Sequence, residues 1–320
     1  MLHDQDTKMV LMNPSDPNSL FSMDIERGKV VEEWKVHEDV TVNHIAPDNK
    51  YAPTTQEKTI IGASHNALFR IDPRLPGTKL VESQFKQYVS KNRFSGVATT
   101  ETGKLAVASE KGDIRLYDSL GKIAKTALPP LGDPIIGIDV TGDGRWIVAT
   151  TKTYLLLIDT LIGQGRYEGS LGFDRSFPAT AKPVPRRLQL RNEHVAYMGN
   201  YVSFTPARFN QGGQAESAIV TSTGPYVVAW DFPKVKRGFL DKYEIKKYED
   251  EVVQDNFKFG DDNEIVRCSL DVYQSLLNVV QIVALQNNVL AVNKKNLKKP
   301  TRKSLAPNLP SRSSIVNTPF

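Results

Sequence analysis

The stretch SEKGDIRLYD, residues 109–118, is a polar turn followed by a short alternating run that closes on aspartate. Gly112 and Asp113 read as the turn, and Ile114, Arg115, Leu116 and Tyr117 as a strand. The same grammar recurs in NSLFSMD (18–24), NALFRID (66–72), TYLLLID (153–159) and PYVVAWD (225–231). A weaker sixth copy, NVLAVN (288–293), has asparagine in the closing place. The closing residues stand at 24, 72, 118, 159, 231 and 293, so the separations are 48, 46, 41, 72 and 62. Periods of roughly 40–50 residues with several short strands each are the signature of propeller blades.

The neighbouring strands can be read as well. A central strand precedes each motif at 59–63, 105–108, 146–149 and 217–220. An inner strand precedes that one at 42–45, 94–97, 136–139 and 202–204. A fourth strand follows the motif, as in KVVEEW (29–34). Turns such as Thr141-Gly142-Asp143-Gly144 separate them. A β-sandwich has no reason to keep so long a period, so an all-β, WD40-like β-propeller is the expected fold. The closing aspartates are expected to accept backbone N–H bonds in the next turn. Trp34, Trp146 and Trp230 fall on strands and are expected to pack between blades. Arg70, Asp72 and Arg74 are placed to form a local ion network, and Arg115 to pair with acids on an adjoining strand.

The formal charge of +5 is unevenly spread. From Lys294 to the end there are seven Lys or Arg and no acid, so the rest carries 41 − 7 = 34 basic against 36 acidic residues. The reading is a nearly neutral propeller over 1–293 with a basic, disordered tail over 294–320. No apolar run reaches the roughly 18 residues needed to cross a bilayer, and the first residues lack a signal-peptide core. The single cysteine, Cys268, excludes an intrachain disulfide and fits a reducing, cytoplasmic setting, with a nuclear fraction open.

Catalytic and metal signatures are sparse. No P-loop or dinucleotide fingerprint occurs, and Gly142-Asp143-Gly144 reads as a hairpin turn. His3, His37, His44, His65 and His194 show no zinc spacing. Asp72, Asp118, Asp159 and Asp231 recur at equivalent positions, which argues for scaffold rather than a catalytic pair. The expectation is therefore no enzyme and no cofactor. The alternative is a propeller enzyme with two carboxylates converging in the central funnel.

The stretches MLHDQD (1–6), SMDIERGKVVEEWKVHED (22–39), SHNALFRIDPRLPG (64–77), GKIAKTALPPLGDPIIGIDVTGDGRWIVATTKTYLLLID (121–159), GFDRSFPATAKPVPRRLQL (172–190), IVTSTGPYVVAW (219–230) and VVQDNFKFG (252–260) carry a family resemblance. With ASEKGDIRLYD they cover nearly the whole chain, which resembles the C-terminal domain of the vacuolar import and degradation protein 27 family. The resemblance implies a cytoplasmic factor linked to vacuolar import and to catabolite degradation of a gluconeogenic enzyme. It assigns no catalytic residues. It also implies a longer protein with an N-terminal half, and hence a seven-bladed propeller of which one blade is incomplete here.

Two separations fall off the beat. The first contains the Gly- and Pro-rich segment 163–191, read as a long loop. Its Phe173, Phe177, Lys182, Arg186 and Arg187 are candidate protein contacts, weighed equally against aromatics that pin the loop to the rim. The second contains RCSLDVYQSLLNVVQ (267–281), where the family runs on directly. Removing it brings the separation of 62 to 47, on period. Two readings stand: a real loop with a short helix, since Leu270, Tyr273, Leu276 and Leu277 have helical spacing, or a retained intron, the favoured one, under which Cys268 carries no information. Phe257-Lys258-Phe259-Gly260 reads as a blade cap. In the tail, Lys294, Lys295, Lys298, Lys299, Arg302 and Lys303 form a candidate electrostatic contact for an acidic segment or anionic lipid. Without interleaved aromatics the tail is a poor nucleic-acid binder. The leading reading is a protein-interaction scaffold whose partner the residues do not name.

Overall fold

In the computed structural model the described residues are 1–130, 132–210 and 216–247, with the backbone of short strands at 211–212, 255–259, 265–267 and 315–317. They form five antiparallel blades in chain order. Blade 1 is β1 (Leu2–His3), β2 (Lys8–Asn13), β3 (Asp16–Asp24) and β4 (Lys29–Lys35). Blade 2 is β5 (His44–Pro47), β6 (Ile60–Ala63), β7 (Ala67–Ile71) and β8 (Leu80–Gln87). Blade 3 is β9 (Phe94–Thr99), β10 (Leu105–Ser109), β11 (Ile114–Tyr117) and β12 (Thr126–Leu128). Blade 4 is β13 (Gly137–Val140), β14 (Trp146–Thr150), β15 (Leu155–Asp159) and β16 (Arg186–Leu188).

The helix α1 (Asn192–Tyr197) leads into blade 5, built from β17 (Arg208–Phe209), β19 (Ala218–Thr223), β20 (Tyr226–Asp231) and β21 (Tyr243–Lys247). A helix, α2 (Phe232–Lys236), joins β20 to β21, and β24 (Ile315–Asn317) adds antiparallel to β21. A further small sheet joins β18 (Gln211–Gly212), β22 (Asp255–Phe259) and β23 (Ile265–Arg267). The inner strands β5, β9, β13 and β17 touch in succession, so they surround an axis as propeller strands do.

The central strands are buried on both faces, and side-chain alternation decides which neighbour each residue meets. In β14, Ile147 and Ala149 join blade 3 residues such as Ile114 and Leu116, while Trp146 and Val148 join Val228 and Trp230 of blade 5. This double burial explains the nearly unbroken apolar runs WIVAT and TYLLLI. Trp34 packs with Ile60 and Phe69 between blades 1 and 2, as expected for the tryptophans.

The opening stretch folds as its residues require. Gly112 takes φ +88°, where a side chain would be strained, and its N–H bonds the Ser109 carbonyl at 3.0 Å. Ile114 and Leu116 are fully buried and pair with Leu128 and Thr126 of β12. Four closing aspartates accept the expected backbone bond: Asp24 from Arg27, Asp72 from Arg74, Asp159 from Leu161 and Asp231 from Lys234. Asp118 instead pairs with Lys122 and Lys125.

Several placements differ from the sequence reading. The inner strand of blade 5 is Arg208–Phe209, not 202–204. Before it, the Phe204 N–H bonds the Lys152 carbonyl in a blade 4 turn, and Pro206, lacking an N–H, packs against Gly137. The inner strand of blade 2 begins two residues later than expected, at His44. Segment 163–191 is not all loop, because Arg186–Leu188 pairs with β15 as the outer strand of blade 4. Arg70 pairs with Asp48 rather than joining Asp72 and Arg74, and Arg115 pairs with Asp113 of its own turn. The sixth motif copy, residues 268–281, the Phe257–Phe259 side chains and the tail cations lie outside what is described. The described residues show five blades.

Candidate functional site

The turns that follow the inner strands sit together at one end of the propeller axis, its mouth. Blade 2 supplies Lys50 and Tyr51, blade 3 Glu101, blade 4 Gly142 and Asp143, and blade 5 Glu216. Backbone bonds lock them together. The Lys50 N–H reaches the Thr100 carbonyl at 3.0 Å, the Glu101 N–H the Gly142 carbonyl at 3.0 Å, and the Gly142 N–H donates to Glu216 Oε1 at 2.7 Å. The Tyr51 hydroxyl lies against Gly142, where an added Cβ would fall 2.5 Å from it.

Lys50 is 3 % exposed and points inward. Its ammonium meets Asp139 Oδ1 on β13 at 3.3 Å, bonds the Val140 carbonyl, and stands 5.6 Å from the Phe209 ring. The other Asp139 oxygen accepts the Phe209 N–H at 2.8 Å. One lysine from blade 2 thus ties blades 4 and 5 beneath the mouth. Above it the surplus charge is negative. Burial and the carboxylates of Glu216, Glu101 and Asp143 push the Tyr51 phenol above its ordinary range.

Of these turn residues, Asp143 and Glu216 also line a groove of ≈ 380 Å³ between blades 4 and 5, with Trp146, Arg186, Phe232 and Lys236 among others. Trp146 and Phe232 meet edge to face, 6.0 Å between centroids. The Arg145 and Arg186 guanidinium groups stand 5.7 and 5.2 Å from the Trp146 ring centre. Arg145 is paired with Asp159 at 3.4 Å. Arg186 donates to the Val235 and Lys236 carbonyls at 3.1 and 2.7 Å, capping α2 from the neighbouring blade. Asp143 accepts the Arg145 N–H at 2.9 Å and Glu216 that of Gly142. Among the described residues neither is ion-paired with a cation, nor is Glu101.

The candidate contacts divide. Phe173 is fully buried between blades 3 and 4, so it pins its loop and is closed to a partner. Phe177 rests on Gly172, where an added Cβ would lie 2.5 Å from its ring. Arg186 is spent on α2. Lys182 and Arg187 face solvent, Arg187 lying 3.9 Å over the Tyr154 ring. Sequence reasoning took Asp143 for a plain hairpin residue and missed Lys50, Tyr51, Glu101 and Glu216. Their shared signal is position, in or beside the turn after an inner strand.

The fold and this arrangement define a WD40-like β-propeller. The chain belongs to the VID27 family, since the model of the VID27 C-terminal WD40-like domain matches residues 1–311. It is similar to vacuolar import and degradation protein 27 of Schizosaccharomyces pombe, 50 % identical over 328 residues, covering 100 % of this chain and 39 % of the relative. It is also similar to the Saccharomyces cerevisiae protein of the same name, 41 % identical over 320 residues, covering 96 % of this chain and 38 % of the relative. The chain therefore spans about two fifths of the length of the curated relatives it matches. No described helix is long and apolar enough to cross a membrane.

Proposed function

We propose that the chain is a non-enzymatic protein-interaction platform serving vacuolar import and degradation, the process named in both relatives. Within that role it would act in the cytoplasm and hold a partner bound for catabolite degradation, a gluconeogenic enzyme being the proposed target. The observation that carries the reading is the groove between blades 4 and 5. Its charges are positioned by backbone bonds and its floor is aromatic, which suits recognition. A hydrolytic carboxylate pair needs one carboxyl sheltered enough to hold its proton. Asp143 is exposed, Asp159 is paired with Arg145, and Asp143 and Glu216 already serve as backbone acceptors.

The test is affinity capture with the full-length protein from cells shifted to degradation conditions. Deleting 163–191 is unsuitable, because it removes β16 and Phe173. The comparison is instead with Lys182→Glu/Arg187→Glu, which changes only exposed cations. A reproducible partner set held by the wild type supports the platform. No specific partner, together with turnover of a substrate by the purified chain, would overturn it.

A further inference from the structure

Blade 5 differs from the other four at its outer edge. Blades 1–4 have four strands each, whereas blade 5 has five, because Ile315–Asn317 adds to β21. All five residues of β21 pair with β20, from Lys247 opposite Tyr226 to Tyr243 opposite Trp230. The described pairing with β24 covers three of them: Glu244 with Asn317, Ile245 with Val316 and Lys246 with Ile315. Residues 248–314 separate the two strands in the chain. The edge therefore takes an added strand, and its occupant comes from far along the chain and is shorter than its seat.

We infer that this edge of blade 5 is a strand-addition site for an extended segment of a partner protein, and that the chain's own residues 315–317 hold it until the partner displaces them. An added strand satisfies the backbone groups that an outer strand presents, so its affinity comes from main-chain bonds. Selectivity comes from the faces, because paired residues share a face and neighbours alternate. Tyr243 and Ile245 are buried on the face turned to blade 4. The position opposite Ile245 belongs to that face and suits a β-branched apolar residue; the tail has Val316 there. The flanking positions lie opposite the exposed Glu244 and the half-buried Lys246, and suit polar residues. A partner strand of five residues also reaches Tyr243 and Lys247, and two further pairs give it the advantage over the tail. This inference rests on the platform reading and names a surface and the kind of segment it takes.

Fluorescence anisotropy with the full chain tests it. The labelled peptide is SRSSIVNTPF (311–320), and the control has proline in the places of Val316 and Asn317. Successive N–H groups of a strand point to opposite sides, so two adjacent prolines remove the one facing β21 in either register. The same changes in the chain, Val316→Pro/Asn317→Pro, vacate the edge. The native peptide is expected to bind this variant at least about tenfold more tightly than the wild type, whose tethered tail competes at high local concentration. The control is expected to bind neither chain. Val316→Gly, which keeps the N–H and drops the side chain, should give an intermediate affinity.

Hydrogen exchange places the peptide. The outward amides of 243–247 should exchange faster in the double variant than in the wild type, and slow again when the peptide is added. Failure of the native peptide to bind the variant, equal binding of the control, or binding without protection at 243–247 would each overturn the edge. Equal affinity for variant and wild type would overturn the hold by the tail. Wild-type chain that co-sediments with the double variant would make the occupant a second copy's tail and the assignment to a partner wrong. In cells the double variant should capture more partner than the wild type. Equal capture by both would sink the edge and leave the platform standing. Peptide binding without any specific cellular partner would do the reverse.

Discussion

His3 shows how burial sets the behaviour of a single side chain. It is 4 % exposed and meets Trp34 edge to face at 5.8 Å. Its Nε2–H donates to the Lys58 carbonyl at 3.1 Å, while Nδ1 is buried without a partner. Burial holds its pKa below the ordinary value, and burial does the same for His44, aided by repulsion from His65. A histidine whose folded pKa is depressed is protonated more readily when unfolded. Its contribution is therefore complete above the unfolded pKa and is lost as pH falls towards the folded one. The melting temperature should drop from about pH 7 to about pH 5, and His3→Gln should flatten that slope while keeping the bond to Lys58. A slope unchanged in the variant would assign the effect elsewhere. The carboxylates of Asp4, Asp72 and Asp241, bonded to Lys58, Arg74 and Arg191, are held below the usual range, so their loss falls at lower pH.

At the scale of elements, the connection from β15 to β16 is a packed strap. Ile162 and Phe173 are fully buried, the Thr126 hydroxyl donates to the Gly172 carbonyl at 2.7 Å, and Lys104 pairs with Asp174 at 2.8 Å. Phe173→Ala should cost about 3–5 kcal/mol by leaving a cavity between blades 3 and 4. Arg187→Ala, at an exposed position, should cost about 1 kcal/mol or less, mainly the stacking on Tyr154. Denaturant midpoints of the two variants decide between strap and free loop; similar small losses would favour the loop. Glycines and prolines over 163–185 led to the loop reading because they mark irregular backbone. Irregular backbone still packs when it carries buried aromatics, and its local sequence does not show which way they face.

At the scale of the molecule, blades share their cores and Lys50 adds a bond across them. Trp34 reports on the boundary of blades 1 and 2, and Trp146 and Trp230 on that of blades 4 and 5. Lys50→Met leaves the Asp139 carboxylate buried without its cation, a change expected to cost about 3–5 kcal/mol. Because the pair joins blade 2 to blade 4, chains retaining only Trp34 or only Trp230 should show the same lowered denaturant midpoint. A fall confined to the Trp230 signal would show that the blades unfold separately and that the tie is local.

The sequence by itself determined the blade rhythm. A turn, an alternating run and a closing aspartate are set by neighbouring residues: Gly112 by its φ, and Asp72 by the N–H two positions on. Periodicity could also be read for the central strands, whose two apolar faces leave long hydrophobic runs. Short inner strands such as Arg208–Phe209 were harder to place, because two residues carry little pattern. The groove was decided only by the tertiary structure. Lys50 meets Asp139 and Tyr51 meets Gly142 across roughly ninety intervening residues, and Glu216 reaches Gly142 from the next blade. Each of these looks like an ordinary turn residue in its own segment. Setting the blades around one axis brings the turns together, turning the Lys50 charge inward to Asp139 while leaving three carboxylates beside one aromatic ring.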